Sequence, residues 1–419
     1  MFNLQLTPEQ LEFRDTVRDF VQSEVKPAAL LPSRLEPFEK PLLLDTLDHA
    51  SRMGLRTLAV SEAAGGAGAD ALTSCIVLEE LAAGDVDVAA VLGLTQGLAH
   101  ALFEEGMSAQ QRERFLPEFI EDHRYHLSLA QDCAAARGWN YHREDSGESA
   151  AVPSAVKQSN GDWVINGVVA FAPNAPIAKL FVVHARSDAR KTGGNGLTAF
   201  LVPRGTAGLT VADPVQAFGG AGAGAERVRW HHGTGSEVRF ENCRVPADHV
   251  LGKEGQSPLA SGVYDMRAAA HLAAVNLGVG SAAYEAALEY SRIRIQGGRP
   301  IIEHQAIGTI LADCTIKLEL ARNMIWKAAW AADHPEALTD RSIADLPLHT
   351  IARTYTAEAV NDVALGAAEC FGAMGVMRDM PLQKYVHDAM VFLHAADNDS
   401  ATKLEIAEAV AGFKRPLAA

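Results

Sequence analysis

Apolar positions recur along the chain first at helical spacing, then in alternation, then at helical spacing again. Near the start, Phe13, Val17, Phe20, Val21 and Val25 fall on one stripe of a 3.6-residue repeat, which predicts an amphipathic helix. Its beginning is marked by Thr7-Pro8-Glu9-Gln10, with a Thr N-cap, Pro at the first helical position and Gln three residues after the cap. Helical character, interrupted by the loop SEAAGGAGAD, continues to about His126.

The pattern then changes. SAVKQSNGDWVINGVVAF contains Asn160-Gly161 and Asn166-Gly167, flanked by β-branched and aromatic residues. Both dipeptides suit two-residue hairpin turns, because Asn and Gly tolerate positive φ, and together they predict a meander. KLFVVHA, LTAFLVP, GLTVADP and SEVRFENCRVP add strands separated by Gly- and Pro-rich turns. From Leu259 helical spacing returns, with Ile307, Ile310, Leu311, Cys314, Leu318, Ala321 and Ile325 on one stripe. The expectation is an α+β fold of three units: an N-terminal α-helical domain over 1–126, a middle β-barrel or sandwich domain over 127–252, and a C-terminal helical bundle over 253–419.

Composition narrows the function. A net charge of -15 disfavours a nucleic-acid partner, since binding to a phosphate backbone rests on clustered Lys and Arg. The five cysteines form no CxxC pair, which fits a reducing, cytoplasmic setting and offers no zinc or disulfide framework. The start, MFNLQLTPEQLEFRD, lacks a basic stretch followed by an apolar core, so no secretory signal is expected. The run RAAAHLAAVNLGVGSAAYEAALEY is long enough to span a bilayer, but His271, Asn276 and Glu285 make it a bundle helix, and no membrane insertion is expected.

Several segments invite chemistry. FGGAGAGAE (218–226) is glycine-rich like a dinucleotide turn, but it lies in a β unit rather than between a parallel strand and a helix, so a flexible loop is the better reading. His231-His232, His123 and His126 have no carboxylate or cysteine at ligand spacing and read as surface histidines. Ser257 and Ser261 lack a nucleophile-elbow context. SRIRIQGGRPIIEHQAIG groups Arg292, Arg294 and Arg299 around Gln296 at a Gly-Gly break. Such a segment either docks an anion or is a solvated basic helix end.

Taken together, the order of units and three segments resemble the acyl-CoA dehydrogenase family over essentially the whole chain. The segments are the hairpin WVINGVVAFAPNA, the strand end FENCRVPADHVLG and RIRIQGGRPIIEHQAIG. The resemblance implies a C-terminal four-helix bundle, FAD held between the subunits of a tetramer, an acyl-CoA substrate, and an electron-transfer flavoprotein as acceptor. It also implies concerted chemistry: a carboxylate removes the α-proton of the thioester while the β-hydrogen leaves as hydride to flavin N5. Carried over by position, Arg294 and Gln296 reach FAD of the neighbouring subunit, and His304 and Gln305 flank its adenosine part. Gly372 and Gly375 belong to its glycine motif, Phe171 lies beside the isoalloxazine, and Arg267 serves the CoA moiety.

Departures gather at the reacting centre. The loop that carries flavin- and CoA-contacting hydroxyls reads QDCAAARGW from Gln131, and Pro173 stands where a flavin-contacting Thr or Ser is usual. In FLHAADNDSATK, Ala396 occupies the place of the catalytic carboxylate and Asn398 that of a cofactor-supporting threonine. The alternative carboxylate position is Met266. Neighbouring Asp397 and Asp265 are the candidate displaced bases, each with the plainer reading of a solvated carboxylate. Asp85, Asp87, Glu79 and Glu80 are weaker candidates, and a helix cap is the plainer reading there. Three classes follow: a dehydrogenase with a relocated base, a silent or assisting subunit paired with a competent homologue, and a flavoprotein with oxygenase- or oxidase-type chemistry, and the expected assembly is a homotetramer or a heterotetramer with a homologous subunit.

Overall fold

A computed structural model describes residues 5–35, 41–131, 152–188, 190, 196–213, 231–260, 262–334, 336, 346–377, 379–394 and 400–412. The N-terminal helices are α1 (Pro8–Phe20), α2 (Lys26–Ala29), α3 (Leu44–Arg52), α4 (Ala71–Gly84), α5 (Val86–Ala99) and α6 (Ala109–Glu121). Thr7 and Gln10 form the expected reciprocal cap of α1, each side chain accepting from the other's backbone N–H at 3.1 and 3.0 Å. The helical stretch Val86–Gly106 is long and apolar enough to cross a membrane, and 83% of its most apolar window is buried inside the protein.

Among the described residues eight strands follow: β1 (His126–Ala130), β2 (Ser154–Lys157), β3 (Trp163–Pro173), β4 (Ala178–Arg186), β5 (Leu197–Pro203), β6 (Leu209–Val211), β7 (Gly235–Val245) and β8 (Val250–Leu251). They form one sheet in the order β6, β7, β3, β2, β4, β5, β8, with β1 parallel to β4. Asn160-Gly161 turns the chain between β2 and β3, with Gly161 at φ +93°. Asn166-Gly167 does not turn it. That dipeptide is a bulge inside β3, where the register against β7 slips between Ile165 and Gly167. Asn166 Oδ1 accepts the Asn242 N–H at 2.7 Å, and a Cβ on Gly167 would lie 2.8 Å from Pro153 Cα, so the glycine permits a close strand approach.

The C-terminal part holds α7 (Gly262–Ile293), the two-residue strands β9 (Ile295–Gln296) and β10 (Arg299–Pro300), α8 (Gln305–Asp333), α9 (Leu348–Phe371), α10 (Leu382–Leu393) and α11 (Ser400–Ala411). Helix α7 packs on α4 and α5 on one side and on α8, α9 and α10 on the other, so helices from both ends of the chain share one apolar core. Alternation in β4 divides the rest. Leu180 and Val182 face α5 and α6, while Phe181 and Val183 join Phe200, Val238 and Phe240 inside the sheet.

Candidate functional site

Past the end of α7 the chain makes a tight hairpin, because Gly297 and Gly298 both take positive φ (+58° and +82°) between β9 and β10. His304, at the N-cap of α8, braces it: its Nε2–H donates to the Gln296 carbonyl at 3.0 Å, leaving Nδ1 to face Arg299 at 3.5 Å. Arg292, Arg294, Gln296, Arg299 and Gln305 are all exposed. Among the described residues no carboxylate pairs with any of these three arginines, although the chain carries fifteen excess negative charges. The sequence-singled residues of this segment are therefore brought together on one basic, unpaired tip.

The opposite end of α7 is different. Asp265 is exposed and has a polar partner, Met266 packs on the helical core, and Arg267 is 5% exposed. The Arg267 guanidinium donates to Asp333, whose other oxygen accepts the Ala71 N–H at 2.7 Å and so caps the start of α4. Its Nε and Nη1 are buried without a hydrogen-bond partner. At the end of α9, Gly372 takes φ +56° and Gly375 is buried, where a Cβ would lie 2.6 Å from the Ala368 carbonyl oxygen. Ala396, Asp397 and Asn398, the loop after Gln131 and the glycine-rich run 218–226 lie outside the described residues.

In the sheet, Gln131 directly follows β1, and Phe171 and Pro173 end β3. The Ser128 hydroxyl donates to the Pro173 carbonyl at 2.7 Å, and Asn174, at φ 62°, donates to the Val91 carbonyl at 3.0 Å. Those bonds tie the strand end to β1 and α5. Phe171 lies directly over Gly235, where a Cβ would be 2.3 Å from the ring.

The surface reading of the histidines fails at two of them, because neighbouring segments close over their rings. His126 is 2% exposed, and burial pushes its pKa down to about 3. The His232 side chain is 5% exposed. Its Nδ1 lies 3.4 Å from Asp87 Oδ1, its Nε2 lies 2.9 Å from the Asp388 carbonyl oxygen, and its ring packs on Phe392 at 4.6 Å. Asp388 is itself buried and paired with buried Lys384 at 2.7 Å. His231 sits against Phe171, ring centroids 4.5 Å apart. Sequence reading passed over this cluster because its members are 145 and 156 residues apart along the chain. The readable hint was Lys384 and Asp388, an i,i+4 ion pair in an apolar helix.

The remaining polar candidates have plainer duties. Asp85 Oδ1 accepts the N–H groups of Asp87 and Val88, both at 3.0 Å, and caps α5. Glu79 pairs with Arg322 and Glu80 with Arg18. Ser257 meets His184 Nε2 at 2.8 Å but also caps the turn that starts at Pro258, accepting the Leu259 N–H at 3.2 Å.

Comparison with known proteins agrees with this architecture. The chain matches the family models "Acyl-CoA dehydrogenase, N-terminal domain" over residues 7–123, "middle domain" over 144–231 and "C-terminal domain" over 266–410. An acyl-CoA dehydrogenase of Bacillus subtilis is 26% identical over 389 residues, covering 93% of this chain and 94% of that one. The fold is similar to that of butyryl-CoA dehydrogenase from Megasphaera elsdenii (TM-score 0.80, 24% identity, 98% and 100% of the two chains). It is also similar to that of a prolyl acyl carrier protein oxidase (TM-score 0.78, 24% identity, 97% and 100%). With helical, β and helical parts in the family's order and all three models matched, the chain belongs to the acyl-CoA dehydrogenase family.

Proposed function

We propose that the protein uses FAD to dehydrogenate a CoA thioester between its α- and β-carbons, with a base outside the two usual carboxylate positions. FAD is the cofactor of this family. The observation that carries the reading is the cluster of Arg292, Arg294 and Arg299 on the α7–α8 hairpin, which pair with no carboxylate among the described residues and make a donor set suited to phosphate. Phe171, seated on Gly235 at a strand end, offers a flat apolar face suited to an aromatic ring system. When bound, FAD supplies the hydride acceptor. This chain's residues bind and orient. Arg294 and Gln296 hold the anionic part, His304 and Gln305 stand at the same hairpin, and Gly372 and Gly375 let a backbone turn approach closely.

Ala396 and Met266 offer no proton acceptor, so Asp397 and Asp265 are the carboxylates nearest the usual positions in sequence. The same loss supports a second reading, a silent or assisting subunit beside a competent homologue, or oxidase-type chemistry on this fold. Self-association fits both: Ile316 and Leu320 on α8 and Leu365 on α9 are 56%, 55% and 47% exposed on the outside of the bundle. A tetramer with the bundles at its centre would cover them and bring each basic hairpin to a neighbour. An electron-transfer flavoprotein is the proposed acceptor. A cytoplasmic setting suits Cys75, Cys243, Cys314 and Cys370, all buried and free.

The test is whether the protein expressed alone is yellow and whether a panel of acyl-CoAs bleaches it anaerobically. Bleaching by at least one thioester is expected. A yellow protein that no acyl-CoA bleaches would favour the second reading, and a colourless monomer by light scattering would sink both.

A further inference from the structure

His231 and His232 precede β7, and their rings have different neighbours. His231 is half-buried against Phe171. His232 is locked between α5 and α10, with both ring nitrogens facing oxygens: the Asp87 carboxylate and the Asp388 carbonyl. The lock continues into the backbone, where the Gly233 N–H donates to the same Asp87 oxygen at 2.9 Å and Gly233 takes φ +80°. Asp388 is held in turn by Lys384, and Phe392 covers the His232 ring. Residue 231 thus hangs from a fixed point and places its imidazole beside the aromatic at the end of β3.

We propose that His231 is the proton acceptor of this site, and that His232 is a positioning residue that holds it there through Asp87 and Asp388. The proposal rests on the dehydrogenase reading above and names its base. An imidazole is an effective acceptor near neutral pH, and here it stands in a chain whose two usual base positions carry Ala396 and Met266. In the step, the bond between the α-carbon and its hydrogen breaks and the proton goes to a ring nitrogen of His231. The electron pair left behind would form the new carbon–carbon π bond as the β-hydrogen departs with its own pair, for which FAD, when bound, would supply the two-electron acceptor.

Anaerobic stopped-flow bleaching by an acyl-CoA tests the chemistry. His231→Gln, with FAD content equal to wild type, is expected to bleach about 10²- to 10⁴-fold more slowly at saturating thioester. Added imidazole should restore part of the rate to His231→Ala. His232→Asn should slow the maximal rate with an unchanged thioester Kd and no rescue by imidazole, which separates positioning from loss of fold. Wild-type bleaching by His231→Gln, with the loss appearing in Asp397→Asn instead, overturns the proposal. So does loss of FAD from His231→Gln, which makes the ring a binding group. Placement is tested separately by NMR: FAD added to the FAD-free protein should shift the imidazole resonances that vanish from the His231→Gln spectrum. If they do not move, the proposal falls whether or not any thioester is turned over. If they move while no thioester bleaches wild type, the dehydrogenase reading fails and His231 keeps only its place.

Discussion

The two ends of α7 carry the same side chain in opposite circumstances. Arg267, in the helix's first turns, is 5% exposed and bonded to Asp333, whereas Arg294, just past its last residue, is exposed and pairs with no carboxylate among the described residues. Residue type therefore says little about the role of an arginine in this fold. The counter-charge decides: at the buried end it is built in, and at the exposed end the described residues supply none, which leaves the guanidinium to water or to a bound anion. Arg267, which the family resemblance leads one to expect at the CoA moiety, gives one of its bonds here to a carboxylate that also caps α4.

Removing the internal counter-charge should have the largest effect. Asp333→Asn leaves a buried guanidinium without an anion and should cost about 3–5 kcal/mol in urea unfolding. The double replacement Arg267→Met with Asp333→Leu should recover most of that loss, and an unchanged urea midpoint in the single variant would dissolve the contrast. At the other end, Arg294→Ala should leave the unfolding of FAD-free protein as it was but weaken FAD retention about 10- to 100-fold, read by dialysis and flavin absorbance. Unchanged flavin content would mean that the exposed arginine is only a solvated helix end.

Acidification should sharpen the same division. Burial holds His126, His184 and His271 well below the ordinary value, at about 3, 4 and 3, and the Arg267 charge adds to the effect at His271. The unfolded chain takes up protons near pH 6.5 that these folded rings refuse, so stability is complete above that pH and erodes towards pH 4. Each ring should contribute a loss of about 1 kcal/mol per pH unit. Melting temperature should fall between pH 7 and pH 5, while the affinity of the arginine hairpin for FAD, which rests on guanidinium groups that stay charged throughout, is kept far better.

Much of the fold was legible because it depends on local rules. The Thr7 cap, the Asn160-Gly161 turn and the apolar stripe of α8 each follow from a few neighbouring residues, and each is present. Asn166-Gly167 has the same letters as the true turn, but a long partner strand, β7, holds β3 straight through it. Of the candidate site, the sequence foretold the grouping of residues only where one segment makes it, as in the arginine hairpin. His232 was misread as a surface residue because its shell comes from α5 and α10, and no local pattern announces a pocket assembled from three distant segments.

Helix α7 also has mechanical properties. Its 32 residues make a rod about 48 Å long. Near the middle, a Cβ on Gly278 would lie 2.3 Å from the Glu79 carbonyl oxygen of α4, and two residues on, a Cβ on Gly280 would meet Leu318 at 2.9 Å and Val360 at 3.0 Å. The rod is gripped at its midpoint from both sides. About that point, a tilt of about 5° would swing each tip by about 2 Å in opposite directions, given a rise of 1.5 Å per residue. A push on the hairpin tip would then displace the buried arginine at the far end in the opposite direction.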